Sequence, residues 1–250
     1  MTFKNKLFKK IRNFALILLI LLSVLAIVFR IYSLNYYHAD QNTINSITRQ
    51  GGVTISRLDN DTLAFIPSGI KTSIGIIFYP GGKVEYTAYE AFMYEIAQKG
   101  ILCILPRMPE NLAFLAVDKA DGLADFFPDI HSWYLAGHSL GGVAAGEYLK
   151  NNYDKFKGLI LCASYTTSDL SDTGLKFLSI YGSHDNILNM DNYKKSLPNL
   201  GTNYCEKIIE GGCHSYFGSY SLQNGDGNPT ITNEKQMKEA ATIISEWINN

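Results

Sequence analysis

The sequence predicts an α/β domain on a mostly parallel, twisted sheet with helices on both faces, preceded by an N-terminal membrane-spanning helix. Three observations carry this expectation. Short apolar runs such as SIGIIFY, ILCIL and LKFLSIY alternate with longer stretches of helical periodicity. The runs are apolar throughout rather than alternating, as strands buried on both faces require. Finally, FALILLILLSVLAIVF at residues 14–29 has Ser23 as its only polar member, and it follows Lys4, Lys6, Lys9, Lys10 and Arg12.

Taken in order, residues 1–32 read as a short cationic tail and an anchor. Sixteen helical residues span about 24 Å, slightly less than a ~30 Å hydrocarbon core. Arg30 can snorkel, and Tyr32, Tyr36 and Tyr37 suit the interface, which extends the span over residues 14–32. A cleaved signal peptide has the same tail and apolar run. No small-residue cleavage site follows, so retention of Met1 or Thr2 is the expectation. The excess of cations before the run places the tail in the cytoplasm and the rest of the chain outside. If the segment is cleaved instead, the protein is secreted.

Residues 33–51 are polar and mixed and read as a spacer that buries no core, so a chain starting near Asn42 is expected to fold. The domain proper is then 52–250. Residues 53–58 and 62–66 form a hairpin through Asp59-Asn60-Asp61. Residues 73–79 are a buried strand ending at Pro80-Gly81-Gly82. Helical spacing covers 86–99 and stops at Gly100. A strand at 101–105 follows, then helical spacing over 112–127 ending before Pro128. Residues 133–136 are a strand and 141–150 a helix. Further strands lie at 157–163, 175–181 and 204–209, and a helix closes the chain over 233–248.

Composition excludes several classes. Lys+Arg total 22 against 23 for Asp+Glu, a net charge of −1, which gives no electrostatic footprint for nucleic acid. An apolar content of 46% with 16 Tyr and 13 Phe excludes intrinsic disorder. No repeat of solenoid length occurs. The four cysteines form no Cys-x-x-Cys pair. Cys205 and Cys213, about 26 Å apart if extended, lie far beyond the ~7 Å limit for a disulfide. The expectation is unpaired thiols, with a Cys103–Cys162 bridge left open.

Chemistry in a parallel sheet sits beyond the carboxyl ends of its strands. There, after the strand WYLA, stands Gly137-His138-Ser139-Leu140-Gly141-Gly142, a G-x-S-x-G at a strand-to-helix junction. Gly137, His138 and Gly141 form the elbow that lifts the Ser139 hydroxyl above the sheet at a helix N-terminus. A nucleophilic serine needs a base, an orienting acid and an oxyanion hole. His138 sits on the elbow and cannot fold back to the hydroxyl. His38 lies in the spacer, His131 precedes a strand and His184 adjoins Asp185. His214 alone follows the last strand, so it is the candidate base. Asp185 follows the strand between Ser139 and His214 and is the candidate acid, with Asp191 the runner-up. Leu140, the residue after the nucleophile, offers one oxyanion amide. The other comes from the loop after SIGIIFY, with Gly82 the first choice and Lys83 the second.

The chain resembles an alpha/beta-hydrolase over about residues 52–249, and within that superfamily it is most similar to the alpha/beta hydrolase fold-5 group, relatives of the dienelactone hydrolases. The stretches that carry the resemblance are YPGGKVEYTAYEAF (79–92), PRMPENLAF (106–114), WYLAGHSLGG (133–142) and EGGCHSYFGSYSLQNGDG (210–227). The resemblance implies Ser139, Asp185 and His214 as a triad. Dienelactone hydrolases use a cysteine nucleophile, and this elbow carries serine, which argues against a dienelactone substrate.

Two alternative sites fail on their ligands. Asn224-Gly225-Asp226-Gly227-Asn228 is like a calcium loop, but Pro229 follows and no acid stands where the loop needs one. His184–Asp185 and Cys213–His214 have no further zinc ligands at suitable spacing. The expected mechanism uses neither metal nor cofactor. The expected function is a serine hydrolase, most simply a carboxylic-ester hydrolase. An acyltransferase or thioesterase on the same triad, or a catalytically silent binding domain, are the alternatives. Only Ser164–Gly174 separate two of the late strands, too little for a helical lid, so the substrate is expected to be a small or exposed acyl ester, in a site surrounded by Tyr79, Tyr216, Phe217 and Tyr220. The acyl group, the leaving group and the oligomeric state leave no mark on the sequence.

Overall fold

The computed structural model describes residues 3–250; Met1 and Thr2, and with them the question of a retained terminus, lie outside that range. The chain divides into two units, one reaching Tyr36 and the other running from Tyr37 to Asn250. The first is a single helix, α1 (Phe3–Leu34). Its stretch Leu7–Leu34 is 28 residues long, enough to cross a bilayer with some tilt. Its apolar side chains, Leu16 to Phe29 among them, are exposed. A signal sequence has the same length and composition.

The second unit is built on one eight-stranded sheet. β1 (Val53–Asp59) and β2 (Thr62–Pro67) form the expected hairpin, with Thr54 opposite Ile66 and Ser56 opposite Ala64. The remaining strands are β3 (Ile74–Tyr79), β4 (Leu102–Pro106), β5 (Ser132–His138), β6 (Gly158–Cys162), β7 (Lys176–Gly182) and β8 (Tyr204–Ile209). Their order across the sheet is β1-β2-β4-β3-β5-β6-β7-β8. The pairs involving β1 and β2 are antiparallel and all others parallel.

Helices cover both faces. α3 (Glu90–Ala97) and α6 (Asn233–Asn249) pack on one, and α4 (Leu140–Leu149) on the other. The division is written residue by residue in β3. Ile76 and Phe78 enter the core shared with Phe92, Met237 and Ile244. Ile77 and Tyr79 enter the core shared with Leu135, Ala144 and Leu149. This two-sided burial explains the unbroken apolar runs.

The topology fixes where a ligand can sit. From β3 the chain passes through α3 to β4 on one side, then returns to β5 on the other side of β3. That reversal opens a crevice beyond the carboxyl ends of β3 and β5. Tyr79 is paired with Gly137, so the loop after β3 and the turn after β5 leave the sheet side by side.

Two expectations need correction. The segment taken for a spacer is folded into the second unit from Tyr37 onward. Tyr37 bridges Val84 and Ala39 bridges Tyr220. Asp40 then caps α2 (Gln41–Thr48), its carboxylate accepting from the amides of Asn42 and Thr43. Ile44 and Ile47, three apart on one helix face, are 2% and 1% exposed in the main core. A chain starting at Asn42 would lose the cap and the β-bridges. The second correction concerns 112–127, where helical spacing yields only 3₁₀ turns at Ala113–Leu115 and Ala124–Phe126. Gly122, at φ +73°, lies in the left-handed region and interrupts any helix there. The apolar residues are still used, since Ala113, Ala120 and Leu123 are buried under β3 and β4. The 86–99 helix is likewise divided, into a 3₁₀ turn at Tyr86–Tyr89 and then α3.

The packing of α2 is measurable. In a chain starting at Tyr37, Ile47→Ala should lower the unfolding free energy by about 2–4 kcal/mol, the usual cost of emptying a buried isoleucine site. Urea denaturation reads this directly, and a loss within 0.5 kcal/mol, the range of a neutral surface change, would mean that α2 is not docked.

Candidate active site

β5 ends in the turn that presents Ser139. Ser139 has φ +50° and ψ −124°, backbone angles that a residue with a side chain rarely adopts. Two glycines make the turn possible. A Cβ on Gly137 would lie 2.5 Å from Gly141 C and Gly142 N. One on Gly141 would strike the Tyr79 and Pro80 carbonyls at the end of β3. The turn is held on the other side by β6. Ser139 N donates to the Cys162 carbonyl at 3.0 Å, and the buried Ser164 hydroxyl donates to the Ser139 carbonyl at 2.6 Å. Ser139 itself is partly exposed and opens α4 at its N-terminus.

The loop after β3 sorts the oxyanion candidates. Gly81 is buried, and its amide donates to the Tyr89 hydroxyl at 3.0 Å. Lys83 N donates to the Asn111 carbonyl at 2.8 Å. With its amide already used, Lys83 is excluded as an oxyanion donor. Between them lies Gly82, partly exposed and so close to Leu140 that a Cβ would stand 2.7 Å from Leu140 Cδ2. Gly82 thus packs against the Leu140 side chain, and Leu140 begins α4 directly after Ser139, where the leading N–H groups of a helix have no helical acceptor.

Asp185 and His214 meet beyond β7 and β8. His214 Nδ1 lies 3.0 Å from Asp185 Oδ2 and 3.2 Å from Oδ1. The side chains are 2% and 1% exposed. The carboxylate is itself fixed, because its Oδ1 accepts from the amides of Ile187 at 2.9 Å and Leu188 at 2.8 Å. With both oxygens acting as acceptors, His214 Nδ1 carries the proton, and Nε2 of the neutral ring is left as an acceptor. Nε2 is buried and has no hydrogen-bond partner among the described residues. Ser139 and His214 line one cleft of about 150 Å³, together with Leu140, Val143, Tyr165, Ile187 and Leu188.

The runner-up acid does not reach this place. Asp191 is exposed in the first turn of α5 (Met190–Ser196), whose cap is Asn189. His184 is turned toward the Asn228 carbonyl, 2.6 Å from its Nδ1. His138 is fully buried under the elbow, its ring centroid 4.6 Å from that of His214. Burial, with His214 beside it, holds His138 well below the ordinary imidazole range, so it stays neutral.

The aromatic residues expected around the site are elsewhere. Tyr79 points into the opposite core and donates to the Val117 carbonyl at 2.7 Å. Phe217 and Tyr220 are buried against Phe92, Tyr89 and Tyr37. Tyr216 is partly buried and does not line the cleft. Residues after a strand end alternate between faces, and spacing alone does not say which face a turn will give them. All four cysteines are unpaired, so the Cys103–Cys162 bridge is not formed.

Asp226, which in the sequence reads as part of a calcium-like loop, has a different role in the structure. Its carboxylate accepts from His214 N at 3.2 Å, from Ser215 N at 2.8 Å, from the Ser215 hydroxyl at 2.7 Å and from Gly227 N at 2.8 Å. It ties the turn that carries His214, and its oxygens are fully engaged. Burial works to raise its carboxyl pKa, but these hydrogen bonds outweigh burial and hold it below the ordinary carboxylate range. A short run of Asn, Gly and Asp just beyond a candidate base is a signal that could have found it. Among the described residues no cluster of His, Cys, Asp and Glu is arranged to hold a metal ion.

Comparison with known proteins bears on the family and the fold. The model of an alpha/beta hydrolase family matches residues 75–238. No curated protein sequence matches the chain. Est1E from Butyrivibrio proteoclasticus superposes with a TM-score of 0.57 at 12% identity, over 80% of this chain and 100% of that one. An esterase of Pyrobaculum calidifontis gives 0.58 at 14% identity, over 83% and 89%. An alpha/beta hydrolase from a lagoon-sediment metagenome gives 0.56 at 12% identity, over 78% and 98%. At such identities the likeness is one of fold.

The role of Asp226 predicts a pH signature. A carboxyl held below its unfolded value stabilises the fold above the ordinary carboxylate range, and that contribution is lost as pH falls through the lower, folded value. Asp226→Asn should cost about 1–3 kcal/mol at pH 7. Between roughly pH 5 and 2 the variant's stability should fall less steeply than that of the wild type. Parallel slopes in chemical denaturation across that range would contradict the assignment.

Proposed function

The chain belongs to the alpha/beta hydrolase family, and from that membership and the geometry of its cleft we propose that it is a serine hydrolase acting on small acyl esters. The carrying observation is the buried Asp185–His214 pair, whose unpartnered Nε2 shares a cleft with Ser139. A catalytic hydrogen bond between serine and histidine is often long before substrate arrives.

In the proposed reaction His214 Nε2 takes the proton of Ser139 as its Oγ attacks the acyl carbonyl. The negative charge on the carbonyl oxygen is received by the Leu140 and Gly82 amides, at an α-helix N-terminus that favours it. Each such donor contributes about 3–4 kcal/mol to lowering the barrier. Collapse expels the alcohol, which takes the proton from His214, and leaves Ser139 acylated. Water, deprotonated by His214, then attacks the acyl carbonyl, and as the acid leaves His214 returns the proton to the Ser139 oxygen. Asp185 keeps the proton on Nδ1 and stabilises the imidazolium that forms in each half-reaction. A silent binding domain would not need a buried, twice-anchored carboxylate against a histidine with a free nitrogen, so the catalytic reading is preferred.

Substrate size follows from the cleft. The part of the cleft beside Ser139 has a volume of about 150 Å³, which suits a short acyl group, while the open side leaves room for the alcohol. Val143, Tyr165, Ile187 and Leu188 make its wall largely apolar. Residues 163–175, between β6 and β7, contain no helix that could serve as a lid. Whether water or another hydroxyl or thiol accepts the acyl group separates a hydrolase from an acyltransferase, and the open, unlidded cleft favours water.

α1 is long and apolar enough to cross a membrane. On that feature and the cations before the apolar run, we place the catalytic unit on the extracytoplasmic side, held by a single span through residues 14–32.

On p-nitrophenyl esters of graded chain length, kcat/KM should peak at short acyl groups. Ser139→Ala should lower kcat by a factor of order 10⁴ or more with the fold intact, and Asp185→Asn should cost at least about 10²-fold by misplacing the His214 proton. Asp191→Asn should leave the rate within about twofold, as a surface change should. An active Ser139→Ala protein would end this reading. If Asp191→Asn proved the damaging change, the acid would be misassigned. Expressed with its N-terminus intact in a membrane-competent host, the protein should sediment with membranes and resist carbonate extraction. Recovery in the medium with a terminus between residues 30 and 42 would instead make α1 a cleaved signal.

A further inference from the structure

Beneath the elbow, two fully buried side chains outside the triad, Tyr89 and His138, connect the loop after β3 to the turn that carries His214. We propose that Tyr89 and His138 are positioning residues that set both the oxyanion amide and the base through one hydrogen-bond chain of fixed direction. The proposal rests on the serine-hydrolase reading above.

The direction follows from what each atom can do. The His214 carbonyl can only accept, so His138 Nε2, 3.0 Å away, carries the proton and donates to it. A neutral imidazole then has a lone pair on Nδ1, and the Tyr89 hydroxyl, 2.8 Å away, donates to it. Having given its proton to His138, the Tyr89 oxygen accepts from Gly81 N–H at 3.0 Å. No member can reverse its role without leaving a buried group unpaired. The packing is equally tight. A Cβ on Gly81 would fall 2.6 Å from the Tyr89 oxygen and 2.7 Å from His138 Nδ1.

Each end of the chain lies within one residue of a proposed reacting group. The Gly81 N–H belongs to the peptide unit before the one that carries the Gly82 N–H, the proposed oxyanion donor, so anchoring it restrains the loop from which the Gly82 N–H is aimed. The other end holds the His214 main chain by its carbonyl, while Asp226 holds it by its amide at 3.2 Å. His138 is also the residue before Ser139. Nucleophile, base and oxyanion loop are thus set relative to one another by a chain whose members touch no substrate. The two arms can be cut separately. In His138→Gln the amide nitrogen takes the place of Nε2 and keeps the donor to His214 while losing the Tyr89 partner. In His138→Asn the amide oxygen takes the place of Nδ1 and keeps the Tyr89 partner while losing the donor to His214.

The test measures ester hydrolysis by the full chain in detergent, with rates expressed per active site titrated by a fluorophosphonate. Tyr89→Phe removes one oxygen from a core that otherwise keeps its shape. It should lower kcat by roughly 10–100-fold with KM within about threefold, as expected when a transition-state donor is mis-aimed. The inhibition constant of a short alkylboronic acid, whose tetrahedral anion uses the same amides, should rise by the factor by which kcat/KM falls. His138→Gln should match Tyr89→Phe with an unmoved acid limb of the pH–rate profile. His138→Asn should move that limb, because it frees the His214 turn. A per-site kcat within twofold of wild type in both Tyr89→Phe and His138→Gln would overturn the proposal. So would a loss of titratable sites at unchanged rate per site, the mark of a merely structural role. A wild-type protein that does not react with the fluorophosphonate would overturn the serine-hydrolase reading and this proposal with it, whereas normal labelling with unchanged variant rates would overturn this proposal alone.

Discussion

The left-handed turn at Ser139 is the constraint on which the rest of the site depends. A residue with a side chain held at φ +50° is strained by an estimated 1–3 kcal/mol and persists only where its surroundings over-determine it. Here they do so from both sides. The ends of β3 crowd Gly141 so closely that no side chain fits there, and β6 holds the Ser139 amide and carbonyl through Cys162 and Ser164. The sheet order makes this possible, because β3 and β5 are neighbours only by virtue of the reversal between them. The same crowding brings Gly82 against Leu140. Strain at the turn and the approach of the loop after β3 to the first residue of α4 therefore share one geometric cause.

The base side is built differently. No strain is evident at His214; it is instead tied by carboxylates. Asp185 orients the ring and is anchored by two amides of its own turn. Asp226 gathers the amides around the ring's backbone. Both acids act as acceptors for N–H groups that the irregular segments after β7 and β8 would otherwise leave unpaired. The fold places strand ends, and acidic side chains then convert loose turns into fixed ones.

Much of this was legible in the sequence because it rests on short-range rules. Buried strands show as apolar runs, the turn at Ser139 as a glycine pattern at a strand end, and the candidate pair Asp185 and His214 as the polar residues after two late strands. What was not legible depends on tertiary contact. QNTINSIT has only two apolar residues, and nothing local says that Ile44 and Ile47 will meet Phe65 and Met93 in one core. Over 112–127 the helical spacing is real, but Gly122 and the pull of the core beneath β4 make it a series of turns. Lys83 and Gly82 could not be separated until the Asn111 carbonyl was seen to take one amide. Asp226 reads in the sequence as part of a loop that resembles a calcium site without its full set of ligands, and its use by backbone amides needs the turn to be folded first.

The central claim is that Ser139 becomes acylated during turnover, and mass spectrometry of acid-quenched enzyme tests it most directly. Mixed with a short-chain p-nitrophenyl ester and quenched within the first turnover, the protein should gain the mass of one acyl group, and peptide mapping should place it on Ser139. Steady hydrolysis with no covalent adduct at any quench time, or an adduct mapped to another residue, would contradict the account.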